Sequence, residues 1–505
     1  MKTLAQEMIE RAQRAPEQIA VVDEFGRHTL GKIVAAARAL AERIESIDPA
    51  PPTALIQADN TWHTVAAAVA VGLRGGVVAV FGAHATESEF ALAVEDIAPD
   101  LVVAAPDALR RWGVREDRFP IRATAFDARV LRSRTGPFDS VDRWHAGTAI
   151  AMTSGSTGRP KCVVQSEEAI RYACQCTIDT VRLEPNEAVG AFVPLSSVAA
   201  FCFGMYLPAY LGGTMVSIGK WEPAAALAAM AEHHVAWTML VPTMALQLSV
   251  ADGSEGMLSA LRAMTVGGGP MNERALHAAE EKLGTTFLRV FGMSECLGHT
   301  TPQLDDPPAI RLGRDGRPFR GTVVRAVDTT GNIVAAGAIG DAQVQGPSLF
   351  VGYARGGIAI PPVLTADGFL PTGDLVEVAI DGSIRVTGRH KQIIIRGGRN
   401  IDINELESAI ANVPGIVQVC VVPVPDALLG ERAAALVVTD GESLTLATVT
   451  DQLAAADFPK SKWPEYLFTV GDLPQNTVGK LSRPDAVRLA TQLATSVDPS
   501  SPQFR

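Results

Sequence analysis

Short apolar runs at 54–57, 76–81, 101–104 and 149–152 alternate with segments whose apolar residues recur at helical spacing. Runs of that length, separated by amphipathic helices, predict parallel strands covered by helices. The alternation resumes at 237–241, 263–266 and 287–291. From about residue 321 the pattern changes to short β-like runs at 322–327, 333–335, 341–345 and 375–379. Turns such as Thr330-Gly331-Asn332 and Asp381-Gly382 divide them. A small β-barrel or distorted sheet is expected there. After Arg389 the pattern predicts helices at 404–412 and 446–457 and strands at 417–424, 432–438 and 467–470. A last helix opens near Pro484, where a first helical turn tolerates the missing N–H. The expected fold is α/β. A large N-terminal domain, 1–390, holds two parallel-type α/β sheets and a β-rich part at about 320–388. A small α+β domain, 391–505, follows it.

One stretch complicates this picture. Residues 188–219 carry no charge, which exceeds the roughly 20 residues of a membrane span. Pro194, Pro208, Gly190, Gly204, Gly212 and Gly213 interrupt it. It reads as a buried strand, a loop, a buried helix and a second strand. The N-terminus lacks the apolar core of a signal peptide. The six cysteines form no CxxC pair and have no zinc spacing. Reduced thiols and a cytoplasmic location are expected. With 44 basic and 55 acidic residues the net charge is −11. Such a field repels nucleic acid and anionic lipid, so an anionic ligand needs a local basic cluster.

The first chemical signal is Thr153-Ser154-Gly155-Ser156-Thr157-Gly158-Arg159-Pro160-Lys161, directly after an apolar run. Hydroxyls and glycines expose backbone N–H groups that can cradle phosphates, and Lys161 adds charge. It is neither a Walker A loop nor a nucleophile elbow, because their required residues are absent. The string resembles the signature loop of the AMP-forming adenylating superfamily, which includes acyl-CoA ligases, peptide-synthetase adenylation domains and luciferases. Further motifs follow in the family's order. Gly267-Gly268-Gly269-Pro270 resembles the turn against the adenine. Phe291-Gly292-Met293-Ser294-Glu295 resembles Y-G-x-T-E, with the aromatic face and the hydroxyl retained. Thr372-Gly373-Asp374 resembles T-G-D, and Gly388-Arg389 stands at the family spacing. KQIIIRGGRNIDINELE at 391–407 resembles the hinge motif, departing at Gln392 and Ile403. PQNTVGK at 474–480 resembles the C-terminal lysine loop.

The resemblance implies an acid–CoA ligase using ATP, Mg²⁺ and CoA. Lys480 would be the adenylating lysine, with Ser294 and Glu295 also catalytic and with Glu295 and Thr157 at the metal. Thr153–Gly158, Lys161, Gly268–Pro270, Phe291–Met293, Asp374 and Arg389 would bind the nucleotide. Lys391 would be the hinge about which the C-terminal domain swings. Arg396, Gly397, Gly398 and Arg399 would meet CoA, whose phosphates suit a basic cluster. Such chemistry gathers charge on the α-phosphate and on pyrophosphate, which fixed N–H groups, a metal and a lysine stabilise.

Ser197 stands where many family members have the histidine of a P-L-x-H string. No acidic residue lies between Glu187 and Glu222, so a substrate ammonium would find no partner. Val198, Phe201, Cys202, Val241, Met293, Leu297 and Gly298 suggest an apolar acid pocket beside Ser197. A fatty, alicyclic or aromatic acid is expected, with His299 able to touch a polar group on it. No carrier-domain serine motif is found, so a freestanding enzyme is expected. The alternative is an acyl-AMP ligase that passes its product to a separate carrier protein or an amine.

Overall fold

The structure is a computed structural model describing residues 1–496, except 127–128, 154–159, 252, 270, 272, 390–392, 398, 427, 442–443 and 477–478. The side chains of Ile393, Arg399 and Asn400 are likewise outside the described residues.

Two nine-stranded sheets form the large N-terminal part. In the first, Ile19–Asp23, Thr214–Val216, Ala188–Gly190, Val235–Leu240, Ala263–Gly267 and Phe287–Met293 run parallel to their neighbours. In the second, Val77–Phe81 lies parallel to Thr53–Gln57 and to Gly147–Thr153. Both have antiparallel strands at their margins. Buried runs such as VVAVF at Val77–Phe81 suit strands covered on both faces. Helix Trp62–Leu73 packs against strands of both sheets. Its run of alanines and valines is buried almost throughout, as a helix enclosed on all sides requires. Helix Leu30–Ile47 instead buries one stripe, with Ile33, Val34, Ala37, Leu40, Ala41 and Ile44 inward. Thr29 caps it by accepting from the Lys32 N–H.

The charge-free stretch resolves into strand Ala188–Gly190, helix Val198–Ala200, π-helix Phe201–Tyr206, helix Leu207–Leu211 and strand Thr214–Val216. Among the described residues no helix is long and apolar enough to cross a membrane.

The β-rich part is a four-stranded antiparallel sheet of Val323–Val327, Ile339–Gln345, Leu370–Val378 and Ile384–Arg389. It is open, not a closed barrel: its outer strands do not pair with each other. The strand expected at 333–335 is reduced to one bridge, Val327 to Ile333, because the turn before it consumes the pairing. The smaller C-terminal part sets Ile403–Ala411, Leu446–Ala455 and Arg483–Ser496 against a five-stranded sheet. Its longest pairing joins Ile416–Asp426 to Gly430–Thr439.

Candidate active site

Strand ends converge on the cleft between the two parts. The two ends of the signature motif are cross-strand partners, since Gly147–Thr153 pairs antiparallel with Lys161–Ser166 and Thr153 faces Lys161. Ser154, Gly155, Ser156, Thr157 and Gly158 lie outside the described residues. The Lys161 ammonium sits 5.0 Å from the centre of the Tyr353 ring, a cation–π contact. The Tyr353 hydroxyl donates to Glu295 Oε1 at 2.7 Å. Burial and that carboxylate push the Tyr353 hydroxyl's pKa up, so it remains a donor. Gln165, on the second hairpin strand, donates to the Ser294 carbonyl at 2.7 Å. Tyr353 and Gln165 therefore tie the signature hairpin to the Ser294-Glu295 segment. Sequence reasoning missed both, because neither lies within a motif.

Asp374 and Arg389 are cross-strand partners, which is why two motifs distant in sequence meet. The Arg389 guanidinium donates to Asp374 Oδ1. Asp374 Oδ2 is buried without a hydrogen-bond partner. Burial raises this carboxyl's pKa, against the pull of Arg389. An unsatisfied buried acceptor costs about 1–3 kcal/mol. A ribose hydroxyl donating there would relieve that cost, so the site fits a nucleotide.

Lys480 reaches the same cleft from the C-terminal part. A Cβ added at Gly268 would lie 3.0 Å from both its Cε and its Nζ. Gly268 has φ +83°, a conformation that favours glycine, and the lysine tip approaches it closely. Burial lowers the Lys480 pKa, Arg389 lowers it further and Glu295 opposes them. Asn476 shapes the loop: its Oδ1 accepts from the Lys480 N–H at 3.0 Å, and its N–H donates to the Lys480 carbonyl at 2.7 Å. Phe291 is buried and meets the His299 ring edge-on at 4.4 Å. Gly269 lies beside Pro242, and Gly292 beside Gly298. Met293 is half-buried. Pro270 and Lys391 lie outside the described residues.

The residues expected to line the acid pocket do not all border one cleft. A mainly apolar cleft is lined by Phe203, Trp237, Met239, Thr265, Val290, Gly298 and Phe319, with Thr301, Thr177, Thr180 and Val181. Of the expected pocket residues only Gly298 borders it. Cys202 instead turns its thiol toward Cys174 Sγ, 3.7 Å away, and the Ile170 carbonyl. Ser197 caps helix Val198–Ala200 by accepting from the Ala200 N–H at 3.2 Å. Val198, Phe201 and Leu297 are core residues, and Val241 packs near Gly479. Asn60, also missed, steadies the segment before Ser197. Its Nδ2 donates to the Ala191 and Val193 carbonyls at 2.7 and 3.0 Å, and its Oδ1 accepts from the Leu195 N–H at 3.1 Å.

His299 is fully buried, with Nδ1 at 3.0 Å from the Cys296 carbonyl and Nε2 unpartnered. Burial lowers its pKa from 6.5 to about 4. Below pH 6.5 the unfolded chain binds a proton that the folded chain refuses. Stability is therefore intact above pH 6.5 and falls as the pH drops toward 4. Linkage sets the loss at about 3 kcal/mol by pH 4. Denaturant unfolding of His299→Gln from pH 7 to 4 should show a shallower decline than wild type; an unchanged decline would exclude His299 as a source.

The expected CoA face is mixed. Gly397 (φ +56°) lies in the turn between Ile393–Arg396 and Arg399–Asp402. Gly398 and the Arg399 side chain lie outside the described residues. Arg396 is already engaged: it pairs with Glu465 and donates to the Trp463 carbonyl at 3.0 Å and to the Ser461 carbonyl. Its charge is engaged within the C-terminal part, so a CoA phosphate there would compete with Glu465. Arg396→Ala should destabilise the C-terminal part by about 2–3 kcal/mol, read as a lower urea midpoint.

Comparison with known proteins agrees with this geometry. Residues 8–354 match the AMP-binding enzyme family, and residues 405–480 match the AMP-binding enzyme C-terminal domain. A salicylyl-CoA synthase / salicylate adenylyltransferase from a Streptomyces species is 30% identical over 94% of this chain and 91% of its own. A 2-hydroxy-7-methoxy-5-methyl-1-naphthoate–CoA ligase from Streptomyces carzinostaticus is 29% identical over 95% and 92%. The solved structure of ATP-bound MatB from Rhodopseudomonas palustris is similar with a TM-score of 0.82 and 25% identity, covering 97% of this chain and 99% of that one. The chain belongs to the AMP-binding enzyme family and is an AMP-forming, acid-adenylating ligase.

Proposed function

We propose that this ligase joins an aromatic carboxylic acid with a hydroxyl beside the carboxyl group to CoA. The observation that carries this reading is the cleft at Gly298. A Cβ there would lie 3.0 Å from Phe203 Cζ and 3.7 Å from Phe319 Cε2, so glycine lets both rings stand close to the backbone at the wall of the cleft. Phe203 meets Trp237 edge-on at 6.3 Å. Flat aromatic walls suit a flat ring. Two of the relatives that span over nine tenths of this chain are named for hydroxyaryl acids and for CoA.

In the first step a carboxylate oxygen forms a bond to the α-phosphorus of ATP. The bond from that phosphorus to pyrophosphate breaks, and its electron pair leaves with pyrophosphate. No base is needed, because the nucleophile is already ionised. Lys480 offsets charge at the reacting phosphate, and Asp374 with Arg389 holds the ribose. Mg²⁺, when bound, neutralises phosphate charge, and Glu295 with Thr157 would hold it. Among the described residues no three His, Cys, Asp or Glu side chains gather as a metal site, so a metal at Glu295 would rely on phosphates and water. In the second step the CoA sulfur bonds to the acyl carbon, the bond to AMP breaks, and the thiol proton goes to solvent. Lys391 serves as the hinge between the steps, and the Gly397-Gly398 turn borders the thiol's approach.

The test is a panel of salicylate, benzoate and octanoate with ATP and either CoA or pantetheine, scored for pyrophosphate and thioester. Salicylate with CoA should give the highest kcat/KM. Preference for octanoate would overturn the acid class. Brisk pyrophosphate release without a thioester would favour a carrier protein or an amine as acceptor.

A further inference from the structure

We propose that Thr243 is a positioning residue that seats Lys480 for acyl-adenylate formation. The proposal rests on the reading that Lys480 serves the first half-reaction.

Helix Pro242–Val250 begins where strand Val235–Leu240 ends, and that strand supplies Trp237 and Met239 to the acid cleft. Thr243 is the second residue of the helix and is buried. Its hydroxyl donates to the Gly479 carbonyl at 3.1 Å, across 236 residues of sequence. That carbonyl belongs to the peptide that carries the Lys480 N–H. Fixing it fixes the base of the lysine. Gly479 has φ +75°, and a Cβ there would lie 3.5 Å from Met244 Sδ and 3.8 Å from Val241 Cγ2. The start of the helix thus forms a fitted seat for the turn. One helical turn on, Gln247 accepts from Trp221 Nε1 at 2.8 Å and donates to Asp472 Oδ1 at 3.4 Å. That outer contact is long and exposed, so the seat rests mainly on Thr243.

The seat holds Lys480 beside Gly268 and serves only the arrangement in which the lysine occupies the cleft. A residue acting this way raises the rate of adenylation and does nothing for the thioester step, where the lysine is withdrawn. The hydroxyl is one neutral hydrogen bond, so its loss should cost about fivefold to tenfold in rate.

The experiment compares Thr243→Val, which keeps the volume and removes the hydroxyl, with Thr243→Ser, which keeps the hydroxyl. Both are made in the wild-type enzyme and in Lys480→Ala. Pyrophosphate exchange reports the first half-reaction; thioester formation from synthetic salicylyl-AMP and CoA reports the second. Thermal midpoints report folding. Expected is slower exchange in Thr243→Val, recovery in Thr243→Ser, unchanged thioester formation, and no further loss when valine is added to Lys480→Ala. An equal loss in both half-reactions, normal exchange in Thr243→Val, or a full additional loss in Lys480→Ala would overturn the proposal. Full exchange in Lys480→Ala itself would instead overturn the reading of Lys480, and the seat with it.

Discussion

Lys480→Ala should lower acyl-adenylate formation by about two to three orders of magnitude, the usual effect of removing one fixed electrostatic donor at a reacting centre. The lysine tip comes close to Gly268: a Cβ there would lie 3.0 Å from its Nζ. Burial and Arg389 make its ammonium costly until an anion arrives, and Glu295 is the acid that opposes them. The developing charge at the α-phosphate supplies the missing anion. Conversion of supplied acyl-AMP to thioester should stay within about threefold of wild type, because in this reading the lysine is withdrawn from the cleft before AMP departs. Stopped-flow measurement of the two half-reactions separates these outcomes. Equal loss in both would mean that Lys480 supports the fold and not the reaction.

Glu295→Gln should lower adenylation by about 100-fold and raise the Mg²⁺ concentration needed for half-maximal rate. Glutamine keeps an oxygen for the Tyr353 hydroxyl, which Glu295 Oε1 accepts at 2.7 Å. The Phe350 N–H donates at 2.9 Å to the backbone carbonyl of residue 295, which the substitution leaves in place. The local structure is therefore preserved and only the charge is removed. A magnesium titration of pyrophosphate exchange checks this. Wild-type activity at limiting Mg²⁺ would make Glu295 a structural acid.

Alternating apolar runs made the parallel sheets legible, because strands buried on both faces read as continuous apolar segments. Asp374 and Arg389 were legible as motifs, yet only the register of their strands shows that they touch. The apolar cleft at Gly298 was less legible. Helical spacing after Ser197 points to Phe201 and Cys202, but Phe201–Tyr206 is a π-helix. Its wider turn shifts which side chains face a neighbour, and Phe203 borders the cleft instead. Arg396 was legible as one charge of a basic cluster, but sequence shows charge without partners. Glu465, its partner, lies far along the chain. Tyr353, Gln165, Asn60 and Thr243 act through long-range hydrogen bonds to loops. Residue type and spacing carry no signal for such contacts.

The most direct test of acid adenylation follows the oxygen. A carboxylate that attacks the α-phosphorus leaves one of its oxygens on AMP when the acyl group is transferred. With salicylate labelled with ¹⁸O in the carboxylate, mass spectrometry of the products should find one ¹⁸O in the phosphate of AMP, with unlabelled pyrophosphate. Formation of ADP with ¹⁸O in inorganic phosphate would contradict it.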